Sequence, residues 1–231
     1  MSTGKLSVLV LIPAFNEEST IGQTVQAVIS LPAVDKVLVI DDGSRDDTAG
    51  RARQAGAEVV CQPANLGKGE ALNRGLREFH EDILVLLDGD LGESAVEAGK
   101  LVTPLLESRA DMTIARFPKP RKKGGFGFVK GLAAWGIQSM TGIRAEAPLS
   151  GQRALTRAVV ESMGYFASGY GVEVGLTIDT ARNGFRILEV ETAMHHHGAT
   201  GCDLHGFLHR GKQFVHVARV IFDRAVRFSG V

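Results

Sequence analysis

The feature that most constrains this chain is an alternation in its first half. Short apolar runs rich in β-branched residues, at 6–12, 37–40, 58–61, 83–87 and 112–115, are separated by segments with helical periodicity. Runs of that length predict strands. The first intervening helix follows Ser19 as N-cap and buries Ile21, Val25, Val28 and Ile29, and the second runs from Asp47 to Ala55 and stops at Gly56. A third begins near Gly67, and a fourth carries Val96, Leu101, Leu105 and Leu106 on one face. Strands alternating with helices predict an α/β architecture, a mainly parallel sheet flanked by helices, with ligands at the carboxyl ends of the strands.

Composition narrows the partners. The 26 basic and 26 acidic residues cancel, so no whole-surface field attracts nucleic acid, and none is expected as a partner. The 2 cysteines, Cys61 and Cys202, are too few for a disulfide framework or a thiolate zinc site and read as small packing residues. No apolar run approaches the roughly 18 residues of a spanning helix, and the N-terminal apolar stretch leads into proline and acidic residues rather than a cleavage site. The expectation is a cytoplasmic chain without a transmembrane segment, for which a peripheral place at the inner membrane face stays open.

After residue 115 the pattern changes. Residues 116–125 join prolines, basic neighbours including Arg121, Lys122 and Lys123, and a glycine pair, which predicts a lid or binding loop or simply a solvated one. Helices are expected over 128–140, 155–163, 173–182 and 204–228, and a strand over 185–193. The 128–140 helix, with Trp135, reads first as core packing and second as a face for lipid or a partner subunit. The chain is expected to form a single domain, residues 1–115 binding a nucleotide and 116–231 an acceptor.

Four polar motifs follow predicted strands: ProAlaPheAsnGluGlu at 13–18, AspAspGlySerArgAspAspThr at 41–48, AsnLeuGlyLysGlyGlu at 65–70 and LeuAspGlyAspLeu at 87–91. Any one of them can be a turn. In a parallel sheet all four converge on one crevice and supply carboxylates, a lysine and glycine-flanked amides, a set suited to a metal-bound nucleoside diphosphate. The paired carboxylates of AspGlyAsp would repel each other and a diphosphate unless a divalent cation lay between them.

This ordered set, spanning about residues 6–91, resembles the N-terminal half of the family 2 glycosyltransferases, which implies the GT-A fold and a nucleotide-sugar donor. By that resemblance Pro13, Ala14 and Glu17 line the base and ribose site, Asp42 contacts the base and Lys68 reaches toward base or diphosphate. Asp88 and Asp90 form the DxD-type motif, with Asp90 the direct ligand of Mg²⁺ or Mn²⁺. In the second half, ProLeuSerGlyGlnArgAla at 148–154, GlyTyrGlyValGluValGly at 169–175 and the histidines at 195–197 resemble the glucosyl-3-phosphoglycerate synthase subgroup. Arg153 is placed with the donor-binding residues. The subgroup implies a histidine metal ligand, assigned to His196 with His195 as fallback, while a solvated histidine loop stays open. It also implies a homodimer involving the C-terminal helix. After the glycine pair, Phe126 and Phe128 stand where the subgroup has an Arg and a Thr that hold phosphoglycerate, so the acceptor, a small molecule or a lipid-linked one, is left unidentified.

Glu173 is expected at a helix start near the donor. There it is either a general base for a hydroxyl acceptor, needless for an ionised phosphate, or a carboxylate capping its helix or paired with an arginine such as Arg153. The expected activity is metal-dependent hexosyl transfer from a UDP-glucose-like donor. A sugar nucleotidyltransferase and a non-catalytic nucleotide-sugar binder are the alternatives. No GxGxxG follows a strand and no GxxxxGK[ST] occurs, which sets aside dehydrogenases and P-loop enzymes.

Overall fold

The computed structural model describes residues 5–118, 127–166, 171–197 and 204–229, without the side chains of 204–213 and 227–229. Arg121, Lys122, Lys123, Phe126, Gly169, Tyr170 and Cys202 lie outside the described residues.

The sheet is seeded by β1 (Val8–Ala14), a strand buried on both faces. Val8, Val10 and Ile12 point into one apolar cluster, and Leu9 and Leu11 into another. That is why its sequence is continuously apolar rather than alternating. β1 pairs in parallel with β2 (Lys36–Asp41) on one side and β4 (Ile83–Leu86) on the other, and β2 carries β3 (Glu58–Cys61) at the edge. Beyond β4 the order continues β6 (Arg153–Thr156), β5 (Met112–Arg116), β7 (Ile187–Glu191), giving β3-β2-β1-β4-β6-β5-β7. The sheet is mainly parallel, as expected, except that β6 runs antiparallel to both neighbours.

Helices cover both faces. α1 (Ile21–Ile29) and α4 (Ala98–Leu106) pack Val25, Val28, Leu101 and Leu105 on the first cluster. α3 (Lys68–Leu76), α6 (Arg157–Met163) and α7 (Val172–Arg182) bring Ala71, Leu72, Val159 and Leu176 to the second. The short α2 (Thr48–Gln54) ends before Gly56, whose φ of +103° is the left-handed stop expected there. The other side of α7 presents Val174 and Ile178 to α5 (Gly127–Thr141) and α8 (Leu204–Ser229), where Val129, Ala133, Ile137, Val217 and Ile221 close a third cluster. An Asp179–Arg224 ion pair ties α7 to α8.

Several expectations are corrected. Residues 153–156 form the strand β6, so the helix expected from 155 starts at Arg157. Val96 lies in a 3₁₀ turn (Gly92–Glu97) ahead of α4, and both Val96 and Leu106 are exposed. Trp135 and Phe128 are exposed although the opposite face of α5 is core. Cys61 is exposed at the sheet edge and accepts a hydrogen bond from Arg53.

α3 approaches β1 closely because Gly75 has no side chain. A Cβ there would meet Leu11 Cδ1 at 2.3 Å. Gly75→Val therefore costs about 2 kcal/mol by overpacking, a fall in Tm on the order of 4–8 °C for a chain of this size. An unchanged melting temperature would show that α3 can move away from the sheet.

Candidate functional site

The carboxyl ends of β1, β2 and β4 meet at the point where the chain order turns back on itself, β2 lying on one side of β1 and β4 on the other. The residues after β4, Asp88 to Asp90, occupy that junction. The turn packs against β1 and the loop that follows it, a Cβ at Gly89 lying in ordinary contact at 3.4 Å from Glu17 Cγ and 3.5 Å from Ala14 Cβ. Because β6 is antiparallel, with Arg153 opposite Leu86, the preceding Gln152 arrives beside the Asp88 turn. Its side-chain amide donates to Asp88 Oδ2 at 2.5 Å.

Asp88 Oδ1 accepts a hydrogen bond from Lys68 Nζ at 2.7 Å, and the same ammonium donates to Glu173 Oε1 at 3.2 Å. Lys68 enters from the first turn of α3, and its approach is set by Asp42. That buried carboxylate accepts the backbone N–H groups of Leu66 (2.9 Å) and Gly67 (2.8 Å) and the Gln62 amide (2.6 Å). Gly67 has φ +92°, a conformation open to glycine, and the chain passes from it directly into the helix. Burial opposes the charge on Lys68, but Asp88 and Glu173 outweigh it and raise the pKa above that of a free lysine. Burial likewise opposes ionisation of Asp88, and Lys68, aided by His196 and Gln152, holds its pKa below the usual carboxylate value.

The segment after β7 is stitched onto the loop after β4. Ala193 N–H donates to Glu97 (2.8 Å), His195 N–H to Ser94 Oγ (3.2 Å), and His197 N–H to the Asp90 carbonyl (2.8 Å). This register puts His196 Nδ1 2.8 Å from Asp90 Oδ1, with the imidazole also resting on Phe117 at 5.1 Å between centroids. Asp88, Asp90 and His196 offer ligand atoms within 4.8 Å of one another. His195 turns away, its Nδ1 3.3 Å from the Ala193 carbonyl, and His197 lies over Gly92. The hydrogen bond to Asp90, opposed by burial and aided by the neighbouring carboxylates, raises the His196 pKa. Glu17 is raised mainly by burial, with Asp90, Asp88 and Asp46 adding repulsion.

Lys68, Asp88, Glu173 and His196 line one wall of a cavity of ≈ 1080 Å³ that extends toward α5 and the loop before β6. Pro13, Ala14, Glu17 and Asp42 lie outside it, in the crevice at the ends of β1 and β2. Arg153 does not reach the cavity surface. It is fully buried, donating to the Ser150 carbonyl (2.9 Å) and Thr177 Oγ1 (2.8 Å), with Nη2 left without a partner. Burial lowers its pKa to about 10, against the attraction of Glu173 and Glu189. The partner of Glu173 is thus Lys68, and Arg153 lends it only a longer-range field. Sequence reading missed Gln152 as a contact of the acidic cluster, and the signal available was its place in the 148–154 motif.

A mainly parallel α/β sheet whose switch point carries two carboxylates, an imidazole and a lysine places a candidate cation site where α/β folds of this class bind their ligands. The chain belongs to the glycosyl transferase family 2, whose family model matches residues 9–152. It is 36% identical over 197 residues to the glucosyl-3-phosphoglycerate synthase of Mycolicibacterium paratuberculosis, covering 75% of this chain and 60% of that protein. It is 30% identical over 201 residues to the glycosyltransferase AglJ of Haloferax volcanii, covering 80% of this chain and 62% of that one. The crystal structure of glucosyl-3-phosphoglycerate synthase from Mycobacterium tuberculosis with Mg²⁺ and uridine diphosphate superimposes with a TM-score of 0.77 at 31% identity, over 95% of this chain and 79% of that one. The fold is accordingly GT-A. No helix among the described residues is long and apolar enough to cross a membrane.

Proposed function

We propose that this protein is a divalent-cation-dependent glycosyltransferase that moves a hexosyl group from a nucleoside-diphosphate sugar, UDP-glucose in the first instance, to an acceptor oxygen. The observation that carries the reading is the Asp88–Asp90–His196 group, its ligand atoms within 4.8 Å, with Asp88 and His196 beside Lys68 on the wall of the large cavity. Two carboxylates and one imidazole suit Mn²⁺ or Mg²⁺ and leave coordination positions for diphosphate oxygens. The relatives support the same reading, since the M. tuberculosis synthase has been crystallised with Mn²⁺, UDP-glucose and phosphoglyceric acid.

When bound, the cation supplies neutralisation of the charge that builds on the departing diphosphate. Asp90 and His196 are its principal holders in this proposal, because both Asp88 oxygens already accept hydrogen bonds from Lys68 and Gln152. Lys68 donates toward the leaving group. Pro13, Ala14 and Glu17 line the base and ribose, and Asp42 fixes the loop from which Lys68 projects. Arg153, buried away from the cavity, acts on the Glu173 carboxylate only through its longer-range field rather than touching the donor. Residues 1–115 then hold the donor and 116–231 the acceptor, with the C-terminal helix serving a homodimer.

Release of nucleoside diphosphate from pooled nucleotide sugars, with Mn²⁺ and with EDTA, tests the reading. Cation-dependent release is expected. Pyrophosphate release from a nucleoside triphosphate and a sugar phosphate would make the protein a nucleotidyltransferase. Donor-induced thermal stabilisation without any release would make it a binder.

His196→Ala is expected to weaken Mn²⁺ affinity about 10- to 100-fold. Because the Asp90 hydrogen bond raises the pKa of His196, protons compete with the metal at a higher pH than they would for an ordinary histidine. Mn²⁺ affinity of the unaltered protein should therefore fall as pH drops. A variant with unaltered Mn²⁺ affinity would remove the imidazole from the site.

A further inference from the structure

Arg153 is the largest side chain wholly enclosed among the described residues, and its guanidinium has two hydrogen-bond acceptors and an Nη2 without a partner. The core does not require a cation at this position. Leu155, two residues on and therefore on the same face of β6, packs in the second apolar cluster as an ordinary core residue. Burial brings the pKa of Arg153 down to about 10, which leaves it charged at neutral pH. A buried cation with an orphaned N–H destabilises the fold, and an apolar residue of similar length would remove that cost. What sets Arg153 apart is what its two bonds connect.

The first bond runs from Nε to the Ser150 carbonyl, at 2.9 Å, and ties down the turn that precedes β6. That turn abuts the charged cluster. A Cβ on Gly151 would lie 2.6 Å from Lys68 Nζ, and the Gln152 amide donates to Asp88. The second bond runs from Nη1 to Thr177 Oγ1 at 2.8 Å, and that hydroxyl donates in turn to the Glu173 carbonyl at 2.9 Å, in the first turn of α7. Glu173 is the other carboxylate on Lys68. The fork therefore reaches, through backbone, the two segments that stand against the ammonium. Resting on the glycosyltransferase reading above, we propose that Arg153 is a positioning residue for Lys68: it clamps the 150–152 turn to the start of α7, so that Gly151 and Glu173 bracket the ammonium and hold it where the departing diphosphate meets it. Arg153 itself touches neither donor nor acceptor. A lysine in its place would reach one of the two oxygens as a point charge, whereas the planar guanidinium spans both at a fixed separation.

The test is a double-mutant cycle of Arg153→Met with Lys68→Met, read by UDP release from UDP-glucose with Mn²⁺ and by Mn²⁺ affinity. In the unaltered background Arg153→Met should lower kcat about 30-fold, the effect of a displaced group rather than a deleted one. The KM for UDP-glucose and the Mn²⁺ affinity should stay within about threefold, since the loss lies in the chemical step. In the Lys68→Met background the same substitution should lower kcat by less than about threefold, because the group it places is already gone. A residue that only stabilises the fold would lower turnover by the same factor in both backgrounds, and that additive result overturns the proposal, as does undiminished kcat in Arg153→Met. Thr177→Val removes the hydroxyl between Arg153 and α7 and carries the same cycle should Arg153→Met not fold. It should lower kcat about tenfold alone and not further in the Lys68→Met background, and equal losses in both would again overturn the proposal. Either overturning result leaves the glycosyltransferase reading standing. Failure of the unaltered protein to bind any nucleotide sugar with Mn²⁺ would remove both.

Discussion

Asp90→Asn is expected to lower cation-dependent kcat/KM by ~10³-fold or more, equivalent to about 4 kcal/mol of transition-state stabilisation, while the protein remains folded. Asparagine keeps the size of the side chain and its ability to accept from His196, so the stitching of residues 193–197 onto the loop after β4 survives through the backbone bond from His197 to Asp90. What disappears is the negative charge. In the ligand group of Asp88, Asp90 and His196, Asp88 is already shared between Lys68 and Gln152, which leaves Asp90 as the carboxylate freest to hold a cation. A second readout is independent of turnover. The hydrogen bond to Asp90 is the main cause of the raised His196 pKa, so the imidazole should titrate lower in the variant, followed by NMR. Full activity of Asp90→Asn, or of the unaltered protein in EDTA, would end the metal mechanism.

The first half of the chain was largely legible because each of its signals is local. A strand followed by a polar turn and a helix start is written within a dozen residues, as at Pro13 to Ile21 and Ile83 to Leu91, and sheet topology alone brings such turns together. The second half was not, for three physical reasons. β6 is four residues long and opens with an arginine, and its apolar residues run on into those of α6, so periodicity joined strand to helix. The strand's antiparallel direction, which sends Gln152 to Asp88, depends on pairing with the distant strand β4 and leaves no local mark. The partner of Glu173 is the third case. An arginine such as Arg153 was one expected partner, but the carboxylate meets Lys68, 105 residues away, because α3 and α7 start on the same side of the sheet. The choice of His196 over His195 came from resemblance; what the structure shows is that the bonds of Ala193, His195 and His197 to the loop after β4 bring His196, and not His195, beside Asp90.

Lys68→Met should separate cation binding from turnover. With the lysine present, the carboxylates of Asp88 and Glu173 share one ammonium, 2.7 Å from Asp88 and 3.2 Å from Glu173. Methionine fills similar space without charge, so the site becomes one unit more negative. Affinity for Mn²⁺ should rise or hold, because the attraction for a divalent cation grows with the uncompensated charge around it. Turnover should fall by ~10²–10³-fold, the usual cost of removing one donor aimed at charge that develops in the transition state. The pH dependence carries the sign. Lys68 is what holds the Asp88 pKa below the ordinary carboxylate value against burial. Without it, burial and the repulsion of Asp90 and Glu173 raise that pKa, so the acidic limb of the rate profile moves to higher pH. Mn²⁺ titration by water-proton relaxation and a kcat profile across the acid range measure the two effects separately. Parallel loss of Mn²⁺ affinity and turnover would mean that Lys68 builds the site rather than acting on the leaving group, and unchanged turnover would remove it from the chemistry altogether.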